Sequence, residues 1–243
     1  MIKVQNLSKT YKNFSLQNVS FEFEKEDIIA FVGDNGSGKT TTIKLIFDLT
    51  KKNQGEVFFN EQSLYVNSNL LKIAFFPDSN NIPLEISVKQ YMKYIAIIAR
   101  LNKKECNDRM LKILEVLNFE KFKNTKIKNL SAGLKKRAIM AGVLMTKPEF
   151  IILDEPTANL DVESKIEFIK IIKELNTSGV GILITSHIIE ELQEIANKLI
   201  IIKNGKIMYN DKIDNKKTKI IDIYNTFKEK DKSDLKGISD IYD

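Results

Sequence analysis

The sequence is poor in several residue types that specialised folds require. Among its 243 residues there are no tryptophans, four prolines, one histidine and one cysteine. The single cysteine, Cys106, cannot form an intramolecular disulfide, which favours a reducing compartment. No stretch approaches the roughly 18 apolar residues that indicate a membrane-spanning helix. The opening segment "MIKVQNLSKTYK" lacks the apolar region typical of a secretory signal. We therefore expect a cytoplasmic chain that reaches a membrane only through another protein.

The charge is positive but dispersed along the chain. The formal net charge is +6 and the isoelectric point is near 9.1, which permits anionic partners such as nucleotides, nucleic acids or phospholipid surfaces. The lysines are interspersed with glutamates and aspartates, as on an ordinary solvated surface. Charge alone therefore selects no function.

The hydrophobic pattern alternates between short apolar runs and helical periodicity. Runs typical of strands occupy residues 2–7, 17–23, 27–32, 55–60, 72–76, 150–154, 180–185 and 198–203. Helical periodicity begins near residue 40 and recurs over 86–119, 132–145, 162–175 and 188–196. This alternation predicts an α/β fold with a mostly parallel sheet covered on both faces. The helical stretch near 80–148 is predicted to be a subdomain inserted into that fold.

A glycine-rich loop lies between a predicted buried strand and a predicted helix. The segment "GDNGSGKT" matches G-x-x-x-x-G-K-[ST], and this context separates a phosphate loop from a chance glycine-rich turn. Its glycines let backbone N–H groups point inward as a nest for phosphate oxygens. Lys39 supplies a charge for the β- and γ-phosphates, and the Thr40 hydroxyl can bind Mg²⁺. The predicted nucleotide-binding residues of the loop are Gly33, Asp34, Asn35, Gly36, Ser37, Gly38, Lys39, Thr40 and Thr41.

Two adjacent carboxylates end the predicted buried strand "FIILD". Side chains alternate across a strand, so Asp154 and Glu155 must diverge where the chain leaves the sheet. We predict that Asp154 holds Mg²⁺, directly or through water. Glu155 is then placed to take a proton from a water that attacks the γ-phosphate. The alternative is a pair of solvated acids at a strand end.

A third segment, "NLSAGLKKR", precedes the carboxylate strand. Ser131 is a predicted helix N-cap, and Gly133 leaves a backbone N–H exposed in the first turn. A hydroxyl and an exposed N–H at a helix start form a second candidate anion site. Many helices begin in this way, so the segment is informative only through its position in the chain.

The only histidine, His187, follows the apolar run "GILIT". A lone histidine in such a place is more often a satisfied core or cap residue than a functional one. It gains a functional interpretation only if the rest of the sequence supplies a group on which it can act.

Together these motifs resemble the ATP-binding subunit of an ABC transporter over residues 2–210. In this chain Walker A is "GDNGSGKT", the signature is "LSAGL" and Walker B is "IILDE". The segment "ANLD" resembles the loop at the family's dimer interface, with Asp161 as its acid. The segment "ITSH" resembles the switch loop, so the resemblance implies that His187 donates a hydrogen bond to the γ-phosphate. Tyr11 falls where the family stacks an aromatic ring on adenine, although an isolated tyrosine could equally belong to the core.

The resemblance implies a P-loop NTPase core with a mostly parallel sheet, an N-terminal antiparallel β subdomain and an inserted α-helical subdomain. Residues 1–210 would form the ATPase domain. Residues 211–243 would form a charged C-terminal tail that is partly helical or flexible. The cofactors implied are ATP and Mg²⁺, and the reaction is ATP hydrolysis.

Two positions depart from the family pattern. The family usually has glutamine at the positions of Leu134 and Asp78. Leu134 should matter little, because Ser131 and Gly133 carry the phosphate contacts. Asp78 is more serious, because that glutamine binds Mg²⁺ and links hydrolysis to the membrane partner. We predict that Asp78 is a metal ligand rather than a solvated loop residue, since Mg²⁺ accepts carboxylate oxygens readily.

The function predicted from this resemblance is ATP hydrolysis that powers transport by a separate membrane subunit. Two ATPase chains, identical or related, would pair head to tail with each ATP between the Walker A of one and the signature of the other. The protein would then lie on the inner face of the cell membrane. The short chain resembles small bacterial exporters. Alternatives are a soluble ATPase in an assembly role, such as iron–sulfur cluster building, and an ATPase that acts on nucleic acid. No nucleic-acid partner is expected, because the coiled coil or second module of those ATPases is not present.

Overall fold

The computed structural model describes residues 1–77, 82–186 and 188–227. The described strands are β1 (Ile2–Tyr11), β2 (Phe14–Phe23), β3 (Ile28–Val32), β4 (Gln54–Phe59), β5 (Gln62–Ser63), β6 (Ile73–Phe76), β7 (Phe150–Asp154), β8 (Gly181–Thr185), β9 (Lys198–Lys203) and β10 (Lys206–Lys212). The described α-helices are α1 (Lys39–Ile46), α2 (Val88–Ile98), α3 (Lys103–Val116), α4 (Ala132–Met145), α5 (Val162–Thr177), α6 (Ile189–Gln193) and α7 (Ile220–Phe227).

The strands form two sheets, which confirms the predicted fold class. The six-stranded sheet has the order β10-β9-β3-β8-β7-β6, and all its neighbouring strands run parallel except the β9–β10 hairpin. The four-stranded sheet is antiparallel, with the order β2-β1-β4-β5. The carboxyl ends of β3, β7 and β8 therefore meet at one edge of the parallel sheet, where ligands bind in open α/β sheets.

The first two strands are longer than the sequence pattern predicts. Irregularities in the β1–β2 register between Val4 and Leu7, and again between Leu7 and Lys9, interrupt the alternation of buried and exposed positions. An irregularity such as a bulge disrupts the hydrogen-bonded ladder only locally, so the strand continues past it although the period of two is broken. The hydrophobic pattern therefore predicted only part of each strand, residues 2–7 of β1 and 17–23 of β2.

Strand β3 is buried on both faces and joins two parts of the core. Ile28, Ala30 and Val32 pack into the core that the helices cover. Ile29 and Phe31 pack into the core between the two sheets. A strand buried on both faces is predicted to be apolar throughout, as "IIAFV" is.

The predicted helical stretch 86–119 is two helices. Arg100, in a left-handed conformation with φ 56°, ends the first, and the second begins after the N-cap Asn102. Both α2 and α3 start with a capping box, in which the N-cap side chain and the third helical residue exchange hydrogen bonds. Helix α4 packs against both.

A hairpin joins β9 and β10 through Asn204 and Gly205, whose φ values are 47° and 75°. Two consecutive positive φ angles are the requirement of a type I′ turn. Beyond the hairpin the described chain ends in α7. Within the described ranges, no helix combines the length and the apolar character that crossing a membrane requires.

Candidate nucleotide-binding site

The glycine-rich loop leaves β3 and enters α1 through residues that need glycine. Gly38, the N-cap of α1, has φ 115°, a conformation that side chains with a Cβ rarely adopt. At Gly33 a Cβ would lie 2.3 Å from the carbonyl oxygen of Ile202 on β9. The loop is thus held tightly against the neighbouring strand, with its N–H groups at the start of α1.

Lys39 is anchored inside this loop. Its Nζ donates to the carbonyl oxygens of Gly33 at 2.6 Å and of Asp34 at 3.2 Å, and the residue is only 7% exposed. Burial lowers the pKa of Lys39, although the charges of Glu155, Asp154 and Asp34 oppose that shift. The ammonium group therefore lies where an additional anion would be favoured.

Asp154 lies across from the loop at the end of β7. Its Oδ2 accepts a hydrogen bond from Thr40 Oγ1 at 3.3 Å, and its Oδ1 accepts one from Thr185 Oγ1 at 2.5 Å. Thr185 ends the adjacent strand β8 and is completely buried. One carboxylate is thus oriented by two hydroxyls, one from the first turn of α1 and one from the end of the neighbouring strand β8.

Glu155 leaves the strand in a strained conformation. Its φ is 48°, which is uncommon for a residue with a long side chain. Its backbone N–H points at Thr185, 3.1 Å from Oγ1 and 3.2 Å from the carbonyl oxygen. Its carbonyl oxygen accepts a hydrogen bond from Lys136 Nζ at 3.4 Å. Lys136 is a lysine of α4 that is 4% exposed.

A cleft of about 680 Å³ runs along these groups. It is lined by Asn13, Phe14, Asn35, Gly36, Gly38, Lys39, Thr40, Thr41, Asp154, Glu155, Ala158 and Asn159. The structure therefore brings the predicted Walker A and Walker B residues together in one concave site. The aromatic side chain that lines the cleft is Phe14, whereas the predicted Tyr11 is 42% exposed with its ring centroid 6.4 Å from that of Phe14.

The signature residues lie in a different place from this cleft. Ser131 caps α4 by accepting from the backbone N–H of Leu134 at 3.3 Å. A Cβ on Gly133 would lie 2.4 Å from Ser164 Oγ. Ser164 also donates to Asp161, from its backbone N–H at 2.8 Å and from its hydroxyl at 2.9 Å. These two bonds hold the pKa of the Asp161 carboxyl below its usual range. Ser131, Gly133 and Asp161 thus form a second cluster, and none of the three lines the cleft.

Two predicted residues, Asp78 and His187, lie outside the described residues. Phe14, Thr185 and Lys136 contribute to the site although they had not been predicted from the sequence. A threonine directly after the apolar run "GILI" was the available signal for Thr185, because polar side chains at the ends of buried strands often face a ligand.

Comparison with known proteins agrees with this geometry. The sequence profile described as "ABC transporter" matches residues 16–158. The chain is 30% identical to the SkfA peptide export ATP-binding protein SkfE of Bacillus subtilis, over 86% of this chain and 87% of that protein. It is 32% identical to the molybdate/tungstate import ATP-binding protein WtpC of Methanocaldococcus jannaschii, over 90% of this chain and 73% of that protein.

Solved structures show the same architecture. The cbiO1 structure from Clostridium perfringens, described as part of the ABC transporter complex cbiONQ, matches with a TM-score of 0.77 and 27% identity. The match covers 87% of this chain and 88% of that one. A dimeric ATP-binding cassette bound to ADP and Pi matches with a TM-score of 0.75 and 25% identity, over 88% and 99% of the two chains. The chain belongs to the ABC transporter family, as an ATP-binding subunit with ATPase activity.

Proposed function

We propose that this ATPase hydrolyses MgATP in the cleft between the phosphate loop and β7, and that hydrolysis drives transport by a separate membrane subunit. The observation that supports the site most directly is the position of Asp154, hydrogen-bonded to Thr40 at the start of α1 and to Thr185 at the end of β8. ATP would place its β- and γ-phosphates against the loop N–H groups and Lys39. The transport role is supported by the relatives, whose names record peptide export in one case and molybdate/tungstate import in another.

The residues present fit a magnesium ion. Thr40 and Asp154 offer two oxygen ligands of the kind that Mg²⁺ prefers, and Mg²⁺ takes its remaining ligands from substrate phosphates and water. Among the described residues no cluster of three or more His, Cys, Asp or Glu side chains could hold a metal alone. The two-ligand arrangement therefore suits a metal that arrives with ATP. When bound, the ion would neutralise charge on the β- and γ-phosphates.

The protein's own part in the reaction follows from Glu155 and Lys39. Both carboxylates line the cleft, but the Asp154 carboxylate is hydrogen-bonded to Thr40 and Thr185, so the two carboxylates can serve different roles. Glu155 would accept the proton of the attacking water, while Lys39 and the loop N–H groups would stabilise charge on the phosphoryl oxygens. Asp154, oriented by Thr185, would position Thr40 and the metal next to the phosphates.

The second cluster supports a head-to-tail dimer. Ser131 and Gly133 start a helix but lie apart from the cleft of their own chain. A second ATPase chain could bring its own Ser131 and Gly133 to the γ-phosphate, and Asp161 would lie beside that contact. A solved cassette of similar structure is described as dimeric in a post-hydrolysis state, which supports this arrangement.

A groove of about 480 Å³ suits the membrane subunit. Its lining is largely apolar and includes Phe75, Pro77, Ile82, Tyr91 and Tyr94, of which Tyr94 is 53% exposed. We infer that a cytoplasmic helix of the membrane subunit docks here, which would place this chain on the inner face of the membrane.

Two experiments test the proposal. ATP at about 100 times its Kd should stabilise the protein by about 2.7 kcal/mol, a rise in melting temperature on the order of 5–10 °C for a chain of this size. Lys39→Ala should abolish most of that rise, and an unchanged rise would remove the phosphate loop from the binding site. Affinity purification from solubilised membranes should recover a partner with several membrane spans. Recovery of soluble assembly factors instead would contradict the transport role.

A further inference from the structure

The segment that follows β10 is tied to α6, the helix that begins just after residue 188. The side chain of Gln193 makes three hydrogen bonds to this segment. Its Nε2 donates to the carbonyl oxygens of Asn215 at 2.7 Å and Thr218 at 2.9 Å. Its Oε1 accepts from the backbone N–H of Ile220 at 2.7 Å. Ile220 is completely buried, so the first turn of α7 is fixed by both packing and hydrogen bonds.

The other end of α7 reaches the phosphate loop. Tyr224 Oη donates to Asp34 Oδ1 at 2.5 Å, across 190 residues of sequence. Lys203 Nζ donates to the carbonyl oxygen of Phe227 at 2.9 Å, and the Phe227 ring packs 6.5 Å from that of Tyr209. Helix α7 is therefore held in place on both sides of Tyr224.

Asp34, the residue that Tyr224 contacts, also accepts two hydrogen bonds from within the phosphate loop. The carbonyl oxygen of Asp34 accepts from Lys39 Nζ at 3.2 Å and from the backbone N–H of Ser37 at 3.1 Å. A displacement of Asp34 would therefore move both the lysine and the loop N–H groups. Burial and the Asp34 carboxylate raise the pKa of Tyr224 to about 12, so its hydroxyl keeps its proton at neutral pH.

We propose that Tyr224 is a positioning residue for nucleotide binding, which holds the Walker A loop through Asp34 while Gln193 anchors α7 to α6. The role rests on the proposed function, because the loop must be the phosphate site. The C-terminal segment then belongs to the ATPase machinery. Through Gln193, this segment also connects the phosphate loop to α6, the helix that follows the predicted switch residue His187 in the sequence.

A double-mutant cycle tests this role. Tyr224→Phe removes one hydroxyl and retains the ring. The control Thr226→Val removes a hydroxyl from the same helix whose bond, within the described part of the chain, is local, to the carbonyl oxygen of Ile223. We expect Tyr224→Phe to weaken MgATP binding by about 3–10-fold, in the lower part of the range of coupling between residues in contact, and to raise KM more than it lowers kcat. Thr226→Val should bind like the wild type. Asp34→Asn, which keeps an acceptor oxygen, should bind better than Asp34→Ala.

The combined variants decide between positioning and general stability. In the Asp34→Ala background, Tyr224→Phe should have no further effect on the Kd for MgATP. Equal affinity of Tyr224→Phe and Thr226→Val, or additive losses in the double mutant, would overturn the proposal. The same MgATP titration on Lys39→Ala distinguishes a failure of the proposed phosphate-loop site from a failure of the proposed role of Tyr224. If that variant binds MgATP like the wild type, the phosphate-loop site fails and this role fails with it. If Lys39→Ala loses binding while Tyr224→Phe retains it, only the role of Tyr224 is refuted.

Discussion

Replacing Thr185 by valine tests whether Asp154 is oriented by the neighbouring strand. The side chain is completely buried, and its hydroxyl donates to Asp154 at 2.5 Å. Valine has a similar shape but no hydrogen-bond donor, so it leaves one carboxylate oxygen without that bond. A hydrogen bond to a charged group contributes about 1.5–3 kcal/mol. We therefore expect the free energy of unfolding to fall by about 2 kcal/mol, which lowers the melting temperature by about 4–8 °C for a chain of this size.

The same change should alter metal dependence more than a loss of stability can. Removal of a hydrogen bond that orients a metal ligand typically lowers metal affinity by about 10–100-fold. The Mg²⁺ concentration for half-maximal ATPase activity should rise by a comparable factor at saturating ATP. Thr185→Ser keeps the hydroxyl and should restore most of this loss. Thr177→Val is the matched control, because among the described residues the Thr177 hydroxyl bonds to the carbonyl oxygen of Lys173 on its own helix.

One result would refute the reasoning. If Thr185→Val is less stable but has the Mg²⁺ titration curve of the wild type, Thr185 supports the sheet and does not orient a metal ligand. Asp154 would then bind the metal without help from β8, or not at all.

Three further outcomes are expected. Glu155→Gln should retain ATP binding and lower hydrolysis by roughly 10²–10⁴-fold, the usual contribution of a positioned general base; gel filtration with ATP should show an accumulated dimer, and a monomer with wild-type turnover would contradict this. Asp78→Ala should raise the Mg²⁺ requirement for ATPase activity while Asp78→Gln largely preserves activity; an alanine curve that overlays the wild type would make Asp78 a bystander. Gly133→Ala places a methyl group 2.4 Å from Ser164 Oγ, so it should disturb the second cluster and lower ATPase activity. The ATP affinity of the monomer, measured by calorimetry, should not change. Equal losses of ATP affinity and turnover would contradict the conclusion that the second cluster is separate from the cleft.

The fold was largely predictable because its signals are local. Buried strands such as "IIAFV" and "FIILD" are continuous apolar runs, and the phosphate loop is a contiguous motif between strand and helix. The antiparallel strands were less visible, because register irregularities in β1 break the alternation that defines a strand.

Contacts between distant parts of the chain were not predictable in this way. Phe14 lines the cleft because the start of β2 lies against the loop, where a Cβ on Gly38 would be 3.0 Å from the Phe14 ring, and no local pattern distinguishes it from Tyr11. Lys136 looks like a surface lysine in "LKKR" but is buried against the backbone of Glu155. The bond between Tyr224 and Asp34 spans 190 residues. Each of these depends on how elements pack and not on the periodicity of a segment.

The backbone of Glu155 implies a trade-off between stability and function. At φ 48°, glycine or asparagine would fit more easily, and a non-glycine residue held in this region stores on the order of 1–3 kcal/mol of strain. Natural proteins retain such strain where activity requires it. If Glu155 acts as proposed, the two requirements at this position conflict. Thermal stability favours glycine or asparagine, which adopt a positive φ more easily, whereas turnover requires glutamate. A thermostable relative that has lost glutamate here would then be a binder of ATP and no longer an efficient hydrolase.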